Sequence, residues 1–202
     1  MKPFGNAYKN AVASNGGDFK RLPAGGYIVE ITDVEAVPDK EYLKVVYDIA
    51  EGEFKGFYGD DWHKDKPNTH ADYFSWKDTA NRSGMDSFKT CITCIDESNG
   101  TNFNGLFEGS ADVNERLLIG KRYGVIIELE EYETNRGTIA TRPHIKWRRS
   151  TKGLQEWLDK VKNGTAQVPP LKKLEQKTTA SPETGSGNLP DFQQITDDDI
   201  PF

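Results

Sequence analysis

"RYGVIIELEEYETNRGTIATRPHIKWRR", residues 122–149, decides the fold. Two runs rich in β-branched and aromatic residues flank a short polar turn, which is the pattern of a β-hairpin. If Asn135, Arg136 and Gly137 form a three-residue loop, Gly137 takes the left-handed position and Thr134 faces Thr138. Glu130 then pairs with Arg142 and Glu128 with His144, while the other face pairs Val125 with Trp147, Ile127 with Ile145 and Leu129 with Pro143. A two-residue loop would set Arg142 beside Leu129 and His144 beside Ile127, mixing charge into the apolar face. A slip of one residue turns a whole strand over, so the three-residue loop is favoured. Pro143 points to an edge position or a bulge.

Upstream, "AGGYIVEITDVEAV" alternates with the period of a strand, and "YLKVVYDIA" follows it after a Pro38-Asp39 turn. A third strand lies in either "FKGFYG" (54–59) or "ADYFSWK" (71–77). Phe88, Cys91, Ile92 and Ile95 carry the spacing of an amphipathic helix that stops at Asn99-Gly100. A second short helix presents Leu154, Trp157, Leu158 and Val161, with Gly164 as its stop. Three strands, a helix and two strands give the order of a five-stranded OB-fold barrel. The expected organisation is a loose arm (1–22), an OB domain (23–164), a disordered Pro/Thr/Ser/Gly-rich linker (165–196) and a six-residue ending (197–202). No run of eighteen apolar residues and no leader-like start occurs, so a cytoplasmic protein without membrane contact is expected.

The net charge is −6, but residues 165–202 hold six acids against three lysines, so half of it lies outside the body. From Thr134 to Lys152 there are six Lys/Arg and no acid. In the hairpin register Arg142, His144, Lys146 and Arg148 share an outer face, with Arg136 at the tip and Arg149 and Lys152 beyond. Glu128 and Glu130 neutralise part of that face by cross-strand pairing, the ordinary fate of such charges. Lys146, Arg148, Arg149 and Lys152 gain no such partner from the hairpin and form a candidate polyanion contact. Unpaired bases also need flat rings to stack on. Of the 22 aromatic residues most belong to the core, and Tyr27, Tyr47, Phe88 and Trp147 fall on apolar faces. Trp62, in a polar loop with Lys64 and Lys66, is the first stacking candidate, followed by Phe57, Tyr58, Tyr73, Trp76 and Tyr132.

Other constellations lead nowhere. Cys91-x-x-Cys94 could offer zinc only His63 and His70 as further ligands, and both thiols belong on or beside the apolar stripe of their helix. Asp60, Asp61 and Asp72 near His63 resemble a nuclease cluster, but no nucleophile or base is arranged around them. No phosphate-binding glycine loop is present. Neither catalysis, a cofactor nor a metal is expected.

The chain ends "DDDIPF", Asp197, Asp198, Asp199, Ile200, Pro201 and Phe202, after its low-complexity linker. This ending resembles that of bacterial single-stranded DNA-binding proteins. "VYDIAEGEFKGFY" and "LIGKRYGVIIELEEYETNRG" are similar to phage-encoded replication and recombination proteins of Gram-positive hosts. The resemblance implies that Phe202 fills an apolar pocket on host or phage replication and repair enzymes, its carboxylate meeting a basic side chain. Ile200 and Pro201 would pack beside it and the three aspartates would face a basic rim, a known mode of terminal-carboxylate capture. The implied function is to coat single-stranded DNA and recruit partners, in a chain that could also be a homo-oligomer. The alternatives are an annealing protein, or an adaptor that occupies host enzymes without touching DNA. Deleting Asp197–Phe202 is expected to leave or improve DNA affinity and to abolish partner capture, measured by oligonucleotide titration beside pull-down; lost DNA binding would count against it.

Overall fold

The computed structural model describes Lys9 and residues 21–76, 83–109 and 111–174, apart from the side chains of Asp61, Trp62 and Ser83. β1 (Gly25–Val37) and β2 (Tyr42–Ile49) are joined through a 3-10 turn at Pro38–Lys40. A one-turn helix α1 (Asp61–Lys64) and a second 3-10 turn lead to β3 (Ala71–Ser75). Helices α2 (Ser83–Asn99) and α3 (Phe103–Phe107) precede β4 (Arg122–Glu133) and β5 (Ile139–Arg149), and α4 (Thr151–Lys162) follows. The strands form one antiparallel sheet in the order β3-β2-β1-β4-β5, an open sheet consistent with an OB-like fold. The third strand is therefore 71–75; the alternative at 54–59 is a series of turns. Among the described residues no helix is long and apolar enough to cross a membrane.

Two bulges bend this sheet. In β1, Ile31 faces Tyr47 and Asp33 faces Val46, so Thr32 is an extra residue. In β5, Ile145 faces Ile127 and Trp147 faces Ile126, so Lys146 is extra. An inserted residue bends its strand and re-aims the side chains after it. One face of the sheet gathers the core: Val29, Ile31 and Val34 of β1; Leu43, Val45, Tyr47 and Ile49 of β2; Phe74 of β3; Tyr123, Val125 and Ile127 of β4; and Ile145 of β5. Helix α2 adds Cys91, Ile92 and Ile95, the stripe its spacing predicts. Burial pushes the Cys91 thiol well above its ordinary range, and burial together with Glu97 raises Cys94.

Helix α4 lies on the other face. A Cβ on Gly26 would meet Leu154 Cδ1 at 2.8 Å, and one on Gly124 would meet Leu154 Cβ at 2.7 Å. Two glycines on adjacent strands thus make the shallow seat for Leu154. The chain continues past α4 into a strap: Lys172 N donates to Leu129 O (2.8 Å) and Glu131 N donates to Lys172 O (2.9 Å). Lys172, within the stretch expected as linker, thus bridges the β4 edge that β1 does not cover.

The hairpin turn follows the three-residue loop. Thr134 N donates to Thr138 O (2.8 Å), and Gly137 has φ 73°. The register matches expectation from Glu130–Arg142 through Ile127–Ile145. The expected Val125–Trp147 pair does not form, because the bulge at Lys146 shifts the remainder by one residue. Arg148 takes the place opposite Val125 and turns inward, and Trp147 turns out to 42% exposure.

Inside, Arg148 Nε donates to Asp72 Oδ2 at 2.8 Å, and its Nη2 donates to the same oxygen. The guanidinium lies 5.1 Å from the centre of the Phe74 ring. Burial disfavours the charge on Arg148, but Asp72 outweighs it and the pKa is raised. β3 and β5 are the two margins of the sheet, so this pair fastens its open ends across the core.

The connection between β2 and β3 is pinned by rings. Tyr58 is buried and stacks on His70 at 4.6 Å, with His63 edge-on to Tyr58 at 5.1 Å. Burial, then the neighbouring His63, lowers the His70 pKa from 6.5 to about 4.

Two expectations follow. Asp72→Ala should destabilise the fold by about 3 kcal/mol, because it strands a largely buried guanidinium, while Asp72→Leu with Arg148→Met should come close to wild type; thermal unfolding of the three proteins checks this. His70 must be neutral to stay stacked, so protonation favours the unfolded chain; its contribution is complete above pH 6.5 and falls until about pH 4. Between pH 7 and 5 wild type should lose about 2 kcal/mol more than His70→Phe, in urea melts at both pH values.

Candidate nucleic-acid interface

The residues singled out in the sequence fall into three groups. The first lies along β2 and β3, with Tyr73 on their outer side and Trp76 on the side of the core. Alternation along β3 sends Asp72 and Phe74 inward and Tyr73 outward, 37% exposed. Tyr73 meets Tyr42 of β2 edge to face at 5.5 Å, and Lys44, facing Tyr73 across the strands, approaches Glu35 at 4.0 Å. Burial, then Tyr42 and Glu35, raises the Tyr73 pKa, so its hydroxyl is neutral at physiological pH. Trp76, also 37% exposed, follows directly; its backbone N donates to Glu41 O (2.9 Å). Its indole borders an apolar hollow of about 280 Å³ floored by Leu43, Phe74 and Phe88. Tyr42 and Lys44 were not singled out, although alternation in "YLKVVYDIA" places both opposite the core residues Leu43 and Val45.

The second group is the outer end of the hairpin. The Arg142 guanidinium lies 5.3 Å from the centre of the Tyr132 ring and 3.6 Å from Glu130. Glu130 also receives Lys172 from the strap at 3.9 Å, so one carboxylate serves two cations. Arg136 is exposed at the tip, and His144 is exposed opposite Glu128. The ring-and-guanidinium pair is a flat, cationic platform of the kind on which bases stack.

The third group is the end of β5, where the expected outer row is broken. Lys146, expected to lack a partner, donates to the buried Glu128 at 2.7 Å and sits 5.1 Å above the Trp147 ring. Arg148, expected on the outer face, is the interior partner of Asp72; the bulge is the reason in both cases. Arg149 and Lys152 remain exposed and border a groove of about 730 Å³ between α2, the end of β5 and the start of α4. Asp86, Glu97 and Glu156 share that groove, so its field is mixed rather than uniformly positive. Lys64 and Lys66 are exposed on the loop held by the Tyr58–His70 stack. The Trp62 side chain and Asp197–Phe202 lie outside the described residues.

Trp147 and Arg148 change places relative to the expected register. Trp147 was assigned to the core by period alone, and no feature of "IKWRR" marks Lys146 as an inserted residue. Comparison with models of known protein families and with curated proteins gives no match to this chain.

Proposed function

We propose that this protein is a non-catalytic single-stranded DNA-binding protein whose sheet curls into a five-stranded OB barrel. The Asp72–Arg148 pair would act as the fastening between β3 and β5. The observation that carries the reading is the Arg142–Tyr132 platform on the long β4–β5 hairpin. In OB folds the loop between these strands, with the face of strands 2 and 3, is where oligonucleotides lie. Here that face carries Tyr73, Tyr42 and Lys44. Rings supply stacking without sequence preference, and Arg136, Arg142, Arg149 and Lys152 supply phosphate contacts. An acidic total charge is compatible with this, since many body acids are spent on cross-strand partners and the ending carries further acids. The Asp197–Phe202 ending would recruit replication and repair enzymes, as its resemblance to bacterial single-stranded DNA-binding proteins implies.

The test is binding of a labelled dT oligomer and the matching duplex across a range of salt. The oligomer is expected to bind preferentially, with log affinity falling by about 0.7 per log unit of salt for each phosphate neutralised. Joint replacement of Arg136, Arg142, Arg149 and Lys152 by Ala should flatten that slope by about 2 to 3 if each meets one phosphate. Equal affinity for oligomer and duplex would overturn the reading.

A further inference from the structure

We infer that Trp147 stacks on an unpaired base of bound single-stranded nucleic acid, a role that rests on the proposed function and adds a third ring site to it. The end of β5 leaves a large apolar ring on the surface. Had the hairpin register continued past Ile127–Ile145, Trp147 would face Val125 in the core and Arg148 would face outward beside Gly124. The bulge exchanges them. An indole that could be buried stands 42% exposed, and a guanidinium with every reason to stay in water is turned inward. Burying a charge is tolerable only where it is paired, and Asp72 supplies the pairing from the far margin of the sheet.

Curvature alone does not explain this. A bulge at Lys146 bends β5 whatever follows it, and the order Arg-Trp at 147–148 would give the same bend with the ring inside and the charge outside. The chain carries Trp-Arg. The inward turn of Arg148 is accounted for by its pair with Asp72, but core packing does not account for the indole that this leaves on the surface, and bulges are enriched beside functional sites because they re-aim side chains.

The surroundings suit a base. The Lys146 ammonium lies 5.1 Å from the ring centre and is held there by Glu128. The ring is thereby braced against rotation, at little further entropy cost on binding. Arg149, two residues on and also exposed, and Lys152 at the start of α4 bring cations to the same end of β5. An exposed ring among cations fits one ligand chemistry better than others: a flat, uncharged π-system joined to phosphates.

The experiment compares wild type, Trp147→Ala and Trp147→Phe by anisotropy of a labelled dT oligomer, a readout independent of tryptophan emission, each across a range of salt. Loss of one stacked base should weaken the Ala variant roughly 5- to 150-fold, with the Phe variant in between. The salt slope should stay unchanged, because no phosphate contact is removed; the arginine and lysine replacements above should move the slope instead. If wild type binds and Trp147→Ala matches it, the inference is wrong and the proposed function stands. If wild type does not prefer the oligomer, both fall. Should Trp147→Ala fail to fold, tryptophan quenching at saturating oligomer decides. Weaker total quenching in Trp147→Phe than in wild type supports the inference, and equal absolute loss of emission overturns it.

Discussion

The arrangement of the sheet hangs on one ion pair. β3 and β5 lie at opposite margins of an open, twice-bulged sheet, and Asp72–Arg148 joins them through the interior. The pair stands among Phe74, Tyr47, Tyr123 and Cys91, a ring-rich setting that excludes water and strengthens the attraction. The same setting makes desolvation expensive, so the net contribution to stability is smaller than the contact suggests. Its value lies in specification. A hydrophobic pair would fill the space equally well, but it would not tie one residue of β3 to one residue of β5. Apolar side chains slide past one another, whereas a guanidinium with two donors on one carboxylate oxygen does not.

Most of the framework was legible because it rests on short-range patterns. Alternation located β1, β2, β4 and β5, and the helical stripe Phe88, Cys91, Ile92, Ile95 located α2. Gly137 fixed the hairpin loop, and the register followed for as long as no residue was inserted. What was illegible depended on contacts between distant parts of the chain. The choice of 71–75 over 54–59 as the third strand is made by pairing with β2, where Leu43 faces Phe74 and Val45 faces Asp72. The bulge at Lys146 is accompanied by the Lys146–Glu128 pair and by the pairing of Arg148 with Asp72, 76 positions away from it in sequence. No window of a dozen residues contains that information. The strap was missed for a related reason: residues 165–174 have no strand pattern, and they stay in place by two backbone hydrogen bonds to an edge that β1 leaves uncovered.

The candidate site was legible in kind more than in place. Counting cations between Thr134 and Lys152 found a basic stretch, yet three of its six Lys/Arg are paired with acids of the fold: Lys146 and Arg148 away from the surface row, and Arg142 with Glu130 while it stays exposed. The surviving exposed cations, Arg136, Arg142, Arg149 and Lys152, are spread from the hairpin tip to the start of α4. They do not form the compact row that the register predicted. A spread of this kind suits a flexible polyanion, whose phosphates follow the surface, better than a rigid duplex groove, which needs its contacts in fixed geometry.

Cations and rings would contribute differently to the proposed binding. In the proposed reading, cations at the tip and at the end of β5 would act over a Debye length of about 8 Å and set how fast and how salt-sensitively a strand arrives. Rings act only at contact and are indifferent to salt. The structure holds these roles apart at Tyr73, which has Tyr42 for a neighbour, and joins them at Tyr132 and Trp147, each with a cation against its ring. In the proposed reading, a cation held beside an aromatic ring would meet the phosphate of the nucleotide whose base stacks on that ring. That coupling requires the cation to be tethered, and the tethers are Glu130 for Arg142 and Glu128 for Lys146. The acids of β4, which by charge alone would oppose a nucleic acid, would then be what keeps those cations aimed.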